Sequence, residues 1–228
     1  MAQVQAILWD IDGTLLHGFG IGRAATKIAM EGIFGTAGDI EQHQFGGKTD
    51  YFTLVELLTP HGFNADSIGA RLPDYAMLLA DTMEQIAPDY NLTPLPNALE
   101  LVESLQNGGD ILHGIVTGNC ASSAHVKLRM TGFDTAYFTF GAYGDESVNR
   151  NDLPPRAIQR AVELIKREIA PENVLIIGDT PDDIRAARAN GMPVCIVTTG
   201  FAKRETLEAL QPDYLLDDLT QFLDIVPL

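Results

Sequence analysis

Basic residues are scarce in this 228-residue chain. Its 15 lysines and arginines stand against 31 aspartates and glutamates, a formal charge of −16. Nucleic acid and an anionic membrane surface would both be repelled, so neither is expected as a partner. Any anionic substrate must be met by local cations, either a metal or a few placed lysines and arginines. Cysteine is scarcer still: Cys120 and Cys195 are too few for a disulfide framework and lack zinc-ligand spacing, so reduced, buried thiols are expected. No apolar run approaches the roughly 18 residues of a membrane span. The first apolar stretch is cut by Asp10 too early for a secretory leader, so a cytoplasmic location is the expectation. The five histidines (His17, His43, His61, His113, His125) show no i, i+4 pairing, which argues against a histidine metal site. What is present is 46% hydrophobic residues, ample for a core.

The stretch that carries most information is Val4–Leu15, VQAILWDIDGTL. Ala6-Ile7-Leu8-Trp9 has the length and composition of a strand buried on both faces, as in parallel sheets. Ligands of open α/β sheets bind just outside the carboxyl ends of such strands. Asp10 and Asp12 stand there, and residues two apart on an extended segment point the same way. Gly13 then lets the backbone turn sharply and come close to a ligand. A strand ending in an Asx-type turn explains one of the aspartates, and two less well.

After this stretch, the glycines of His17–Gly22 suggest a hinge, and the pattern then turns helical. Helices are predicted over Arg23–Phe34, over Tyr51–Leu58 capped by Asp50, and over Ala65–Ile86, the last kinked or divided at Pro73. Nothing between residues 16 and 93 reads as a strand, so residues 16–95 form a helical insert. Asn97 is expected to cap a helix over Ala98–Gln106. From there strands alternate with helices: strands at Ile111–Val116, Ala136–Phe140, Asn173–Ile177, Pro193–Val197 and Asp213–Leu216. The intervening helices are Ala121–Met130, Pro154–Ile169, a Thr180-capped helix with Pro181 first and Gly191 after it, and Lys203–Leu210. Alternating β and α means a parallel, Rossmann-like α/β core, residues 1–15 and 96–228, with helices on both faces.

Three predicted strands end in polar groups: Asp10 with Asp12, Thr117, and Asp179 with Asp183 nearby. A parallel sheet brings its carboxyl ends to one edge. Carboxylates gathered there are tolerable only if protonated or around a cation, and hard oxygen ligands suit Mg²⁺. A carboxylate can also attack phosphorus. The Thr117 hydroxyl and the backbone amides that follow, at the start of the next helix, would form an anion cradle.

At this point the sequence resembles the haloacid dehalogenase superfamily of phosphatases, over essentially its whole length and nearest its phosphoglycolate-phosphatase-like branch. Asp10-Ile11-Asp12-Gly13-Thr14-Leu15 is similar to the first motif of that family, Thr117-Gly118-Asn119 to the second, and Gly178-Asp179-Thr180-Pro181-Asp182-Asp183 to the fourth. The resemblance implies Asp10 as nucleophile, Asp12 as general acid then base, and Thr117 holding phosphoryl oxygens with Gly118 and Asn119. It also implies Mg²⁺ bound by Asp10, the backbone carbonyl of Asp12 and Asp179, with Asp183 positioning the metal and its waters. Asp183 could alternatively be a capping partner of Thr180.

The insert then corresponds to an all-α cap domain, in which Gly46-Gly47-Lys48-Thr49-Asp50 resembles a substrate-contact loop, with Gly47 and Lys48 as candidate contacts. Arg23 and Arg71 read as surface charges. The lysine of the third family motif is missing from Asn149-Arg150-Asn151-Asp152-Leu153-Pro154-Pro155. Lys166 is expected mid-helix, too far along. Arg150 is the substitute, since its fork can bind carboxylate and phosphate together. The function implied is Mg²⁺-dependent hydrolysis of a small phosphorylated metabolite by a monomer or homodimer. The weighed alternatives are a sugar phosphomutase, a 2-haloacid dehalogenase (disfavoured by Asp12), a phosphonate hydrolase with Lys48 as its amine, and a non-catalytic binding module.

Overall fold

The computed structural model describes residues 3–109 and 111–228. Ala6–Trp9 (β1) is followed by the short strand Leu16–His17 (β2), then helices α1 (Ile21–Phe34), α2 (Asp50–Leu58), α3 (Ala65–Gly69) and α4 (Leu72–Ile86). A second short strand, β3 (Thr93–Pro94), leads into α5 (Ala98–Gly108), β4 (Leu112–Val116), α6 (Ala121–Met130), β5 (Phe140–Ala142) and α7 (Leu153–Ile165). The chain ends with β6 (Val174–Gly178), α8 (Pro181–Ala189), β7 (Val194–Val197), α9 (Arg204–Ala209), β8 (Tyr214–Leu216) and α10 (Phe222–Ile225).

Six of these strands form one sheet in the order β5-β4-β1-β6-β7-β8, and every pairing in it is parallel. The apolar character of β1 on both faces now has its reason. Ile7 and Trp9 pack on the side of Leu101, Val102, Ala124, Leu128 and Phe222, from α5, α6 and α10. Ala6 and Leu8 pack on the opposite side against Leu153, Ala157, Ile184 and Leu207, from α7, α8 and α9. Trp9 lies opposite Ile115 on β4 and Ile177 on β6, so the three strands end level. That register sets Asp10, Thr117 and Asp179 along one edge.

Helices α1–α4 form their own apolar cluster, from Ile21, Met30, Leu54, Leu58, Tyr75, Leu79 and Met83, which continues onto Cys120 and Val126 of α6. Pro73 sits in the first turn of α4 and divides the predicted long helix there, where its missing N–H costs nothing. This helical layer also holds two residues of strand at each of its crossings: β2 and β3 pair antiparallel, Leu16 with Pro94 and His17 with Thr93. The strand-free reading of residues 16–93 is corrected accordingly.

Four local expectations also change. The Ala136–Phe140 strand is displaced: the Asp134 carboxylate accepts from Ala136 N and winds Thr135–Tyr137 into a 3-10 turn, so pairing begins at Phe140. Helix α7 stops at Ile165 because Lys166 takes a left-handed conformation, its N–H closing on Val162; Lys166 is a terminator, not mid-helix. Thr49, not Asp50, caps α2, by accepting from Phe52 N. Asn97 makes no side-chain cap and instead donates to the carbonyl of Leu219.

Beneath the site, Trp9 Nε1 donates to His113 Nδ1 at 3.0 Å, and the two rings lie 6.1 Å apart and 10° from parallel. Burial pushes the His113 imidazole down to about 4. The unfolded chain therefore takes up this proton from about pH 6.5 downward while the folded chain resists it until about pH 4. The stabilisation is complete above about pH 6.5 and is lost as pH falls towards 4, at no more than about 1.4 kcal/mol per pH unit. His113→Gln should decline less steeply than the parent chain in urea denaturation across that window. Equal slopes would assign the pH dependence to other groups.

Candidate active site

Asp10 follows directly on β1, its N–H bonded to Ile177 O of β6 at 2.9 Å and its carboxylate buried. Asp179 follows β6 and Asp183 lies one turn into α8. Carboxylate oxygens of Asp10, Asp179 and Asp183 lie within 4.8 Å of one another. Gly13 has φ +84°, and a Cβ there or at Gly200 would collide with the Asp179 carboxylate, so glycine at both positions lets backbone close around this acid. Asp179 Oδ1 is buried without a hydrogen-bond partner.

Arg150 is inserted among these acids. Its Nη2 lies 3.0 Å from Asp10 Oδ1 and donates to Asp183 Oδ1 at 2.6 Å. The other oxygen of Asp183 accepts from Thr180 N and Thr180 Oγ1 in a capping box, as the capping reading of Asp183 expects. Asp182 is a first-turn charge paired with Arg185.

Burial pushes the Asp10 carboxyl up to about 7, against the lowering pull of Arg150, with Asp183 and Asp12 adding to the rise. Burial and the charges of Asp10 and Asp183 likewise hold Asp179 well above the usual carboxylate range. The cluster carries more negative charge than one guanidinium offsets.

Asp12 turns away from the cluster. Its Oδ2 accepts from Lys127 Nζ at 2.6 Å and Asn119 Nδ2 at 2.8 Å. Burial pushes its carboxyl up, but the Lys127 charge and these hydrogen bonds outweigh that and hold it low. Asn119 also donates to Thr117 Oγ1 at 2.8 Å and accepts from Lys127 at 2.7 Å. Lys127 is the residue that sequence reading missed. On α6, Cys120, Ser123 and Lys127 share one helix face, and a lysine on that otherwise buried face was the available signal.

The expected anion cradle is narrower than the sequence suggests. The amides of Cys120 and Ala121, at the start of α6, are taken by the carboxylates of Asp50 and Asp145, at 2.7 and 3.2 Å. Burial raises Asp50 to about 6. The candidate phosphate donors left there are Thr117, Gly118 and Asn119. Gly118 lies so close to the Lys48 carbonyl that a Cβ would not fit, and its own carbonyl accepts from Asp50 N at 2.7 Å.

A cavity of about 610 Å³ runs from the acids into the helical layer. Asp10, Asp12, Thr117, Gly118, Asn119, Arg150, Asp179, Gly47 and Lys48 all border it; Asp183 is reached through Arg150. The Gly47 carbonyl accepts from Arg150 Nη1 at 3.2 Å. Lys48 pairs with Glu56 at 2.5 Å. Arg23, expected as a surface charge, also lines the cavity: it donates to the carbonyls of Ile40 and His43 because α1 turns it inward. Arg71 stays exposed. Among the described residues no helix is long and apolar enough to cross a membrane.

Residues 150–222 match the family model of HAD-hydrolase-like proteins. A pyrophosphatase PpaX of Oceanobacillus iheyensis is 25% identical over 98% of this chain and 97% of its own length. A phosphoglycolate phosphatase of Vibrio vulnificus is 26% identical over 98% and 96%. In fold, a hydrolase of Pseudomonas syringae superposes with a TM-score of 0.71 at 22% identity, covering 97% of this chain and 98% of that one. The fourth-motif segment, Gly178–Asp183, lies within the matched model, and the named relatives align over nearly the full length of the chain, so the chain is similar to haloacid dehalogenase-like phosphatases.

Proposed function

We propose that the protein is a Mg²⁺-dependent phosphomonoester hydrolase that works through a phosphorylated Asp10. The observation that carries this reading is the buried carboxylate of Asp10, ion-paired to Arg150 within a cluster of acids at the cavity floor. The names of the relatives, pyrophosphatase and phosphoglycolate phosphatase, fit chemistry at phosphorus.

The donor set suits the metal. Three buried carboxylates and one guanidinium leave two negative charges unbalanced when all are ionised, and Asp179 Oδ1 has no partner. Asp10, the backbone carbonyl of Asp12 and Asp179 would hold the ion, with Asp183 behind them, and hard oxygen donors favour Mg²⁺. When bound it would offset the repulsion between Asp10 and the phosphate.

In the first step an Asp10 oxygen attacks phosphorus and the ester oxygen leaves. Thr117, Gly118 and Asn119 hold the equatorial oxygens, and the Arg150 guanidinium keeps Asp10 facing them. A proton that enters with the monoanionic form of the ester passes through Asp12 to the leaving oxygen, and Asp12 then takes one from the water that cleaves the acyl phosphate. Held low by Lys127 and Asn119, Asp12 rests in the base form that the second step needs. We read α1–α4 as a cap domain over the site, joined through the β2–β3 ribbon, with the Gly47–Lys48 segment facing the substrate.

Asp10→Asn should abolish phosphate release from a panel of phosphorylated metabolites and eliminate acid-stable labelling by a radiolabelled substrate. Undiminished turnover would refute the nucleophile. For the metal, Asp10 and Asp179 titrate above the unfolded carboxylate range. The metal-free fold therefore binds more protons than the unfolded chain between about pH 4 and 7 and loses stability as pH rises through that window. Adding Mg²⁺ should raise Tm by about 5 °C at pH 8 and by less at pH 5.5, and Asp179→Asn should remove the effect. Arg150→Ala strands two buried carboxylates, so a loss of about 3 kcal/mol at pH 8 is expected in urea denaturation, shrinking towards pH 5. Its kcat/KM should fall by about 100-fold or more; a loss that stays constant with pH would contradict this electrostatic role.

A further inference from the structure

Three aromatic rings stand at the mouth of the cavity, where no core requires them. Phe201, in the loop after β7, is 94% exposed, and Phe19, between β2 and α1, is 57% exposed. Both border the cavity, and His17 lies between them, with ring centroids 5.2 Å from Phe19 and 5.7 Å from Phe201. His17 is fixed in place by donating from Nε2 to the Thr199 carbonyl at 3.0 Å. Exposed aromatic rings collected at one place mark a binding surface more often than chance packing.

Their position relates them to the leaving group. A Cβ built on Gly18 would lie 3.7 Å from Asp12 Oδ1, so the turn bearing His17 and Phe19 runs beside the acid that faces the leaving oxygen. Further in, the cavity wall is carbon again: Phe45, Leu79 and Met83. A volume of about 610 Å³ leaves most of the space unused by a two-carbon phosphate ester.

The cations give the complementary argument. Among the described residues, the lysines and arginines that line the cavity are Arg23, Lys48, Lys127 and Arg150. Each already has partners: the Ile40 and His43 carbonyls, Glu56, Asp12 with Asn119, and Asp10 with Asp183. Three of the four are matched by carboxylates, and Arg23 is committed to two carbonyls and to the face of Phe45 at 4.8 Å, so a second anionic group on the leaving side of the substrate would have to compete for these cations.

We propose that His17, Phe19 and Phe201 form a platform for a flat, uncharged ring on the leaving group, so that the substrate is an aryl or heteroaryl-bearing phosphate ester such as a nucleoside monophosphate. The proposal rests on the hydrolase reading above and adds to it the chemical class of the substrate.

The test compares uridine 5′-monophosphate and phenyl phosphate with the ring-poor ribose 5-phosphate and 2-phosphoglycolate. Calorimetric titration of the Asp10→Asn protein measures binding, and phosphate release by the parent chain measures turnover. Either ring-bearing ester is expected to bind about ten-fold or more tightly than ribose 5-phosphate, and the double variant Phe19→Ala/Phe201→Ala should lower that ratio by about ten-fold. A preference for phenyl phosphate would put the ring next to the ester oxygen, and one for the nucleotide would put it a sugar away. Equal or weaker binding of both ring-bearing esters, or a ratio unchanged in the double variant, would overturn the platform. Release of phosphate from ribose 5-phosphate without ring preference would do so while leaving the hydrolase reading intact. Ring-dependent binding without any release would support the platform and overturn the hydrolase reading.

Discussion

One buried guanidinium ties the acidic edge of this molecule together. Arg150 reaches Asp10 at the end of β1 and Asp183 in the first turn of α8, and through Nη1 it reaches the Gly47 carbonyl in the helical layer. Burying a charge is costly unless it is matched, and here the match is over-supplied by acids. The arginine is therefore held strongly protonated by Asp183 and Asp10 in spite of its burial. A planar fork with several donors can serve these directions at once, which a single ammonium point charge does less well. The arginine thus balances charge among these acids and links sheet, helix and layer.

Much of the fold was legible because its signals are local. The run AILW ending on Asp10, the glycine after Asp12, and the Thr180-Pro181 helix start each depend on neighbours in sequence, and each lies where expected. What escaped was set by contacts across the chain. Two-residue strands such as Leu16–His17 and Thr93–Pro94 carry no periodicity and exist only because they meet each other. Asp50 resembled a helix cap until docking gave its carboxylate a better partner in Cys120 N.

The site divides along the same line. Asp10, Asp12, Thr117 and Asp179 follow strands and were readable from strand ends alone. Lys127 belongs to it only because α6 presents that helix position towards Asp12, which needs both the phase of the helix and its docking. Phe201 lies in a loop whose sequence, Thr-Gly-Phe-Ala, has no motif value. Its meaning comes from standing next to His17, far away in sequence.

The pairing of β1 has a consequence for the chain during synthesis. Ala6 lies between Leu112 and Val174, so the strand that leads to Asp10 is made before both of its neighbours, and the second of them comes late. A product that terminates before residue 174 has β1 but lacks one side of its hydrogen bonding, and it lacks Asp179 and Asp183 altogether. The helical layer, by contrast, is contiguous from α1 to α4, so all four of its helices are made before β4 and β6. Such products would therefore carry Asp10 without the acids and helix that complete its surroundings, and the acidic centre exists only in chains that extend past Asp183.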